Sequence, residues 1–321
     1  RYYVGGLVGY NAGTLTDCYV TGSVTGTGNS VGGLVGDNAG TLTDCYATGS
    51  VSGTTSVGGL VGYNENGTVT SCYATGSVTG IYPVGGLVGV NAGTLTACYA
   101  TGSVSGADFV GGLVGYNYGG TLTGCYATGL VTGTSNYVGG LVGWNDSGML
   151  TGCYATGSVT GTGTYVGGLV GVNYPGTLTG CYATGSVSGT DAVGGLVGWN
   201  EGGTVTDSFW DIETSDQETS AGGEGKTTEQ MQTQSTFTDA GWDFDTPIWM
   251  ITGQDYPRLI WNDPDIDNSG KADFADFSIL AGKWMELDCG FCDSADLTGD
   301  RSVNLNDMLV LAAHWLAGIN P

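Results

Sequence analysis

Near the end of the 321-residue chain, oxygen-bearing side chains recur at a spacing that suits a hard cation. Asp265, Asp267, Ser269, Asp273 and Asp276 take positions 1, 3, 5, 9 and 12 of a loop, with Gly270 at position 6 and the Lys271 carbonyl at position 7. A loop of this spacing wraps Ca²⁺, which is satisfied by a flexible cage of carboxylate, hydroxyl and carbonyl oxygens. A second set begins 31 residues later: Asp296, Thr298, Asp300, Asn304 and Asp307, with Ser302 at position 7. Each loop leads into an apolar helix. The helices match at the same interval, Phe277 with Met308, Leu280 with Leu311 and Trp284 with Trp315. Steps of three and four along each helix predict one apolar face. A single acidic loop is an ordinary solvated turn, but two in register, each opening an amphipathic helix, predict two Ca²⁺ sites. Arg301 stands where the second loop wants glycine, which adds strain and a positive charge, so the second site is expected to be the weaker.

Sulfur is the other reactive element. Cys18, Cys45, Cys72, Cys98, Cys125, Cys153 and Cys181 are spaced by one repeat, and Ser208 follows them at the eighth place. A ladder of small buried side chains is the plain reading. Disulfides between neighbouring coils and a soft-metal array are the alternatives; parallel-pointing Cβ atoms disfavour the first, and the absence of accompanying His or carboxylate disfavours the second. Cys289 and Cys292 form a C-x-x-C between the acidic loops without the second pair that zinc needs, and suit a local disulfide in an oxidising compartment. Nucleophile, metalloprotease and phosphate-loop motifs are absent, and the one histidine, His314, lies among apolar residues on the last helix. Asp17 and Asp44 stack on adjacent coils, but a pair without a partner base is no glycosidase. No enzymatic activity is expected.

These residues must be positioned by a repeat. VGGLVGYNAGTLTDCYVTGSVTG, from Val4 to Gly26, returns eight times, with the first glycine of each GGLVG at Gly5, Gly32, Gly58, Gly85, Gly111, Gly139, Gly167 and Gly194. A 26- to 28-residue unit rich in strand formers, with a glycine every few residues and no room for a helix, predicts one coil of a β-solenoid. Two or three short strands per coil are expected. Alternation in the second half predicts Cys18, Val20, Gly22 and Val24 inside, with Tyr19, Thr21 and Ser23 outside. The position after GGLVG reads Tyr10, Asp37, Tyr63, Val90, Tyr116, Trp144, Val172 and Trp199; a place that takes Asp and Trp alike is expected to face solvent, turning Leu7 and its equivalents inward. Asn follows in every copy, Asn11 to Asn200, and a stack of amides can hydrogen-bond coil to coil. The Tyr19 column is expected to shield strand backbone. The interrupted row of Tyr10, Tyr63, Tyr116, Trp144 and Trp199 suits an adhesive surface better than a structural ladder.

The GGLVG cores at 5–9, 32–36, 58–62 and onward resemble the GLUG-motif repeats of secreted bacterial surface proteins, a resemblance that implies an extracellular, adhesin-like protein with no catalytic residues to transfer. The duplicated loop and helix is similar to a dockerin module, at Asp265, Asp267, Ser269, Gly270, Asp273 and Asp276 and again at Asp296, Thr298, Asp300, Asn304 and Asp307. Positions 10 and 11 read Phe274-Ala275 and Leu305-Asn306 rather than the hydroxyl pair that many dockerins present, which argues against ordinary cohesin recognition. The expected fold is therefore an all-β β-solenoid of about eight coils over residues 1–207, an irregular C-terminal cap over 208–262, and a small α-helical, EF-hand-like and dockerin-like calcium module over 263–321. Within the cap, a short helix is expected to begin near Thr228.

Charge narrows the partners. The chain has 6 Lys and Arg against 30 Asp and Glu, which disfavours nucleic acid. No run of apolar residues is long enough for a membrane-spanning helix. An extracellular or cell-surface location is expected, reached by bacterial-type secretion. The chain opens at Arg1-Tyr2-Tyr3-Val4 directly on a strand, so an open edge is expected to drive head-to-tail self-assembly, with about 38 Å of solenoid per subunit at the usual strand spacing. Two function classes follow: a structural protein of a fibre or layer, and an adhesin that binds a glycan or is held by a cohesin-like partner.

Overall fold

The structure, a computed structural model, describes residues 2–244, 249–251, 254–259, 274–285, 295, 297, 303–305, 307, 308 and 311. It divides into two units, Arg1–Thr228 and Glu229–Pro321, with the division falling inside the 208–262 stretch.

The first unit is a parallel β-solenoid of eight coils. Coil one has five short strands, Tyr3–Gly5, Val8–Asn11, Thr14–Thr16, Tyr19–Val20 and Val24–Thr25, where two or three were expected. The extra strands arise because corners cut each half of the repeat. The residue before the cysteine column adopts a left-handed conformation in every coil, at Asp17, Asp44, Ser71, Ala97, Gly124, Gly152, Gly180 and Asp207, with φ from 49 to 61°. Asp, Ser, Ala and Gly are short enough to be tolerated there. Each strand pairs in register with its counterpart one coil away, Val8 with Val35 and Tyr19 with Tyr46, for example. Five parallel sheets result, three of eight strands, one of seven and one of nine.

Two aliphatic columns fill the interior. Leu34, Val35, Leu42, Cys45 and Ala47 and their equivalents form the larger core, and Val31 and Val51 with theirs form the smaller. The equivalents of Leu7 point inward as expected, wholly buried from Leu34 to Leu196, whereas Leu7 itself, in coil one, is 51% exposed. Each such leucine contributes about 1.5–3 kcal/mol. The paired glycines of the motif are required by close approach. A Cβ on Gly112 would lie 2.0 Å from the Gly140 carbonyl oxygen and one on Gly111 would lie 1.9 Å from that of Val114, so no side chain fits where the first sheet turns into the second.

After coil eight the chain closes this core. Phe209–Asp211 continues the tyrosine sheet, and Glu224–Lys226 adds its ninth strand, Phe209 pairing with Glu224. Trp210 takes the register place of Ala183, joins the larger core at 6% exposure, and donates its indole N–H to Gln217 O at 3.0 Å. The Ser220 hydroxyl meets the Leu196 and Val197 amides of coil eight. A helix does begin at Thr228, whose hydroxyl donates to Asp211 Oδ2 at 2.8 Å. In the second unit Phe237, Trp242 and Trp249 pack ring on ring beside an antiparallel pair, Trp249–Met250 with Arg258–Leu259. Among the described residues no helix is long and apolar enough to cross a membrane.

Candidate functional site

Most of the calcium-loop ligands lie outside the described residues: Asp265, Asp267, Ser269, Lys271, Asp273, Asp296, Thr298, Asp300 and Ser302, together with the Asp276 side chain. Cys289 and Cys292 lie outside them too. Two ligands of the second loop are placed. Asp307 is wholly buried, and its Oδ2 accepts from the Asn304 amide at 2.8 Å, so loop positions 9 and 12 are drawn together. Leu280 of the helix Phe274–Gly282 and Leu311 share one buried cluster with Ala295, Leu297 and Val303, joining the duplicated halves. The Met285 amide donates to Val303 O at 2.8 Å across the same join. Trp284 at 42% and Met308 at 38% exposure lie off the buried face on which the helical spacing placed them. A carboxylate held inward by the backbone of its own loop fits a closed cation-binding turn. Among the described residues no group of three or more His, Cys, Asp and Glu is gathered to hold a metal.

The solenoid carries three ladders. Asn amides run through the interior: Asn38 Nδ2 donates to Asn64 Oδ1, Asn64 to Asn91, Asn91 to Asn117 and Asn117 to Asn145, each at 2.8 Å. From Asn38 to Asn173 these residues are wholly buried. The cysteine column is buried from Cys45 to Cys181, as free thiols. Cys98 donates to Thr96 O at 3.2 Å, and Cys125 to Thr123 O at 3.4 Å. Burial pushes Cys125, Cys153 and Cys181 well above the ordinary thiol value of 9.0.

Tyrosines form the third ladder. Tyr19, Tyr46, Tyr73, Tyr99, Tyr126, Tyr154 and Tyr182 stack with centroids 4.9–5.0 Å apart. Outward placement holds for Tyr19, 59% exposed, but Tyr126, Tyr154 and Tyr182 are buried at 4%, 8% and 1%. Each ring is sandwiched between its neighbours, which covers both faces, and towards Tyr182 the edges are covered as well. Burial raises Tyr73 to about 12 and Tyr99 further.

The row after GGLVG is mixed rather than uniformly exposed. Tyr10 and Trp199 are exposed at 50% and 44%, whereas Asp37 is wholly buried and Val172 nearly so. Asp37 sits in register between Tyr10 and Tyr63, and a cleft of about 290 Å³ there is lined by Tyr3, Ser30, Ser56, Asp37, Tyr63 and others. Larger neighbours on either side cover the short side chain. Over coils five to eight the row Tyr116, Trp144, Val172, Trp199 is flanked by two more. One is Phe109, Tyr137, Tyr165, with centroids 4.9 and 5.5 Å apart. The other is Tyr118, Asp146, Tyr174, whose register is fixed by the same strands. Its two tyrosines were not singled out from sequence; they lie two places beyond the varied position, and the alternation of a strand puts them on the same face.

An in-register parallel solenoid whose coil is a glycine-cornered repeat defines the class of protein. The family model for the GLUG motif matches residues 1–25, 27–52, 53–79, 82–105, 110–132, 134–160 and 162–188, over half of the chain, and the chain belongs to that family. Strand pairing adds the eighth coil beyond the last matched residue. A protein of Evansella cellulosilytica named as a Gly-rich membrane protein is 47% identical over 51 residues, which are 16% of this chain and 6% of that protein. No solved structure matches.

Proposed function

We propose that the protein is an extracellular structural protein of the bacterial cell surface, with the solenoid as a rigid spacer and the C-terminal module as its fastening. The observation that carries this reading is the continuity of four sheets and an interior amide ladder through all eight coils, with a fifth sheet through seven of them. Such a body transmits position along its axis and offers few enclosed sites. Because Trp210 and the Glu224–Lys226 strand close coil eight, a head-to-tail contact would set the C-terminal part of one chain against coil one of the next, and repeating such a contact gives a polymer. Two Ca²⁺ ions, the second held more weakly, would order residues 263–321, with Asn304 and Asp307 among the ligands; the closed turn at Asp307 supports this. No catalytic role is assigned. Negative-stain micrographs of the purified protein, with Ca²⁺ and with chelator, test the reading. Ordered end-to-end fibres that shorten in chelator are expected, and a monomer at every concentration in Ca²⁺ overturns assembly.

A second reading, an adhesin that binds a glycan or is held by a cohesin-like protein, is favoured by one observation. Large rings at Tyr118, Tyr174 and Trp199 stay 44–58% exposed on one face.

A further inference from the structure

We propose that the three rows on coils five to eight form a binding face for an uncharged polysaccharide laid along the solenoid axis. This deepens the second reading above and rests on it. The rings are not needed by the fold. At the corner before each VGG, Ser56 and Ala192 adopt the same left-handed backbone as Phe109, Tyr137 and Tyr165. Left-handed backbone disfavours bulky side chains, yet three successive coils place an aromatic there. The core beneath is already filled by aliphatic residues. The extra rings therefore serve the outer surface.

Their arrangement fits a repeating ligand with an apolar face and hydroxylated edges. Within each row the side chains step by one coil, so a chain lying along the axis meets a ring or a carboxylate at each step, although Val172 interrupts the middle row and Asp146 the third. Carboxylates are interleaved with the rings and fix them: Tyr116 donates its hydroxyl to Asp146 Oδ2 at 2.9 Å, and Trp199 its indole N–H to Glu201 Oε2 at 3.4 Å. Asp146 takes a place in the third row between Tyr118 and Tyr174, where its remaining acceptor capacity faces a passing hydroxyl. Charge selects further. Residues 2–225 contain no Lys or Arg, so a polyanion meets only repulsion on this face. Pyranose rings without charge satisfy all of these features: they stack on aromatics and donate from their edges. A purely apolar peptide would leave the further acceptor sites of these carboxylates unused.

The test is affinity electrophoresis of the full chain in Ca²⁺, through native gels containing soluble β-glucan, xylan, galactomannan or, as the anionic arm, polygalacturonate. Retardation by at least one uncharged polymer, unchanged at high salt, and none by polygalacturonate is expected. The triple variant Tyr118→Ala, Tyr174→Ala, Trp199→Ala changes only rings that are already exposed, and should lose at least tenfold in retention while circular dichroism stays native. No retardation by any uncharged polymer overturns the proposal, as does retention that survives the triple variant. Electron micrographs of the same variant keep the two readings apart. Fibres that persist while glycan retention never occurs sink this inference alone, and loss of fibres in the variant makes the face an interface between copies instead.

Discussion

At the scale of single residues, the solenoid depends on groups that have no exit. Asn117 accepts from Asn91, donates to Asn145 and also donates to Gly120 O at 3.0 Å, all within a buried column. Asn117→Ala removes these bonds and strands an amide on each side. A loss of about 2–4 kcal/mol is expected from the net worth of the bonds and the cost of unmet buried groups, read as a lower denaturant midpoint. The buried thiols and phenols set a second expectation. Cys125, Cys153, Cys181 and Tyr99 are raised by burial, and Tyr73 is pushed up to about 12 from 10.0. Their unfolded counterparts lose protons first as pH rises, so the unfolded state gains. Stability from these groups is complete below about pH 9 and falls as pH climbs through the raised values. Native alkylation at pH 8 should therefore spare these three cysteines until denaturant is added, and melting temperature should drop steadily above pH 10. Rapid labelling of the folded protein would contradict both the burial and the sign. The buried columns were legible because cysteine and asparagine recur at one repeat position. Burial of Tyr182 and Asp37 was not, since it depends on what the neighbouring coils place beside them.

Among elements, the end of the solenoid is the informative one. Trp210 stands in the Ala183 column and covers the core of coil eight, and Gly195 has room for nothing more against its ring. Trp210→Ala should cost about 3–5 kcal/mol, as a large buried aromatic does. Because each coil touches only its neighbours, the damage should stay local. Hydrogen exchange is expected to quicken over residues 189–228 while coils two to five keep their protection. Uniform loss across all coils would show a more cooperative unit than the stacking implies. The sequence announced the repeat and its period through glycine spacing. It understated the strands, because a left-handed corner at Asp17 or Ala97 is invisible until the backbone is seen. The cap helix near Thr228 was foreseen from composition, but the ninth strand at Glu224–Lys226 was not, since a Glu-Gly-Lys segment carries no strand signal and is recruited by the sheet beside it.

For the whole molecule, two units with different dependencies are predicted to respond separately. Chelation should make residues 263–321 sensitive to protease in the full chain while residues 2–228 stay intact, because a ligand stabilises only the part that binds it. Equal resistance with and without Ca²⁺ would remove calcium from the account. This part of the chain was argued from ligand spacing, and the buried Asp307 is the structural point that bears on it. Finally, the ladders give the solenoid a mechanical character. Every inter-coil hydrogen bond runs from one coil to the next, so tension applied to the two ends is borne by one interface at a time. A single molecule pulled in an optical trap should yield like a strip of adhesive tape, in even steps at modest force. Each step frees one coil of 26 to 28 residues, or about 90 Å of extended chain. Slack would be given out one coil at a time, and the remaining coils would stay ready to take it back.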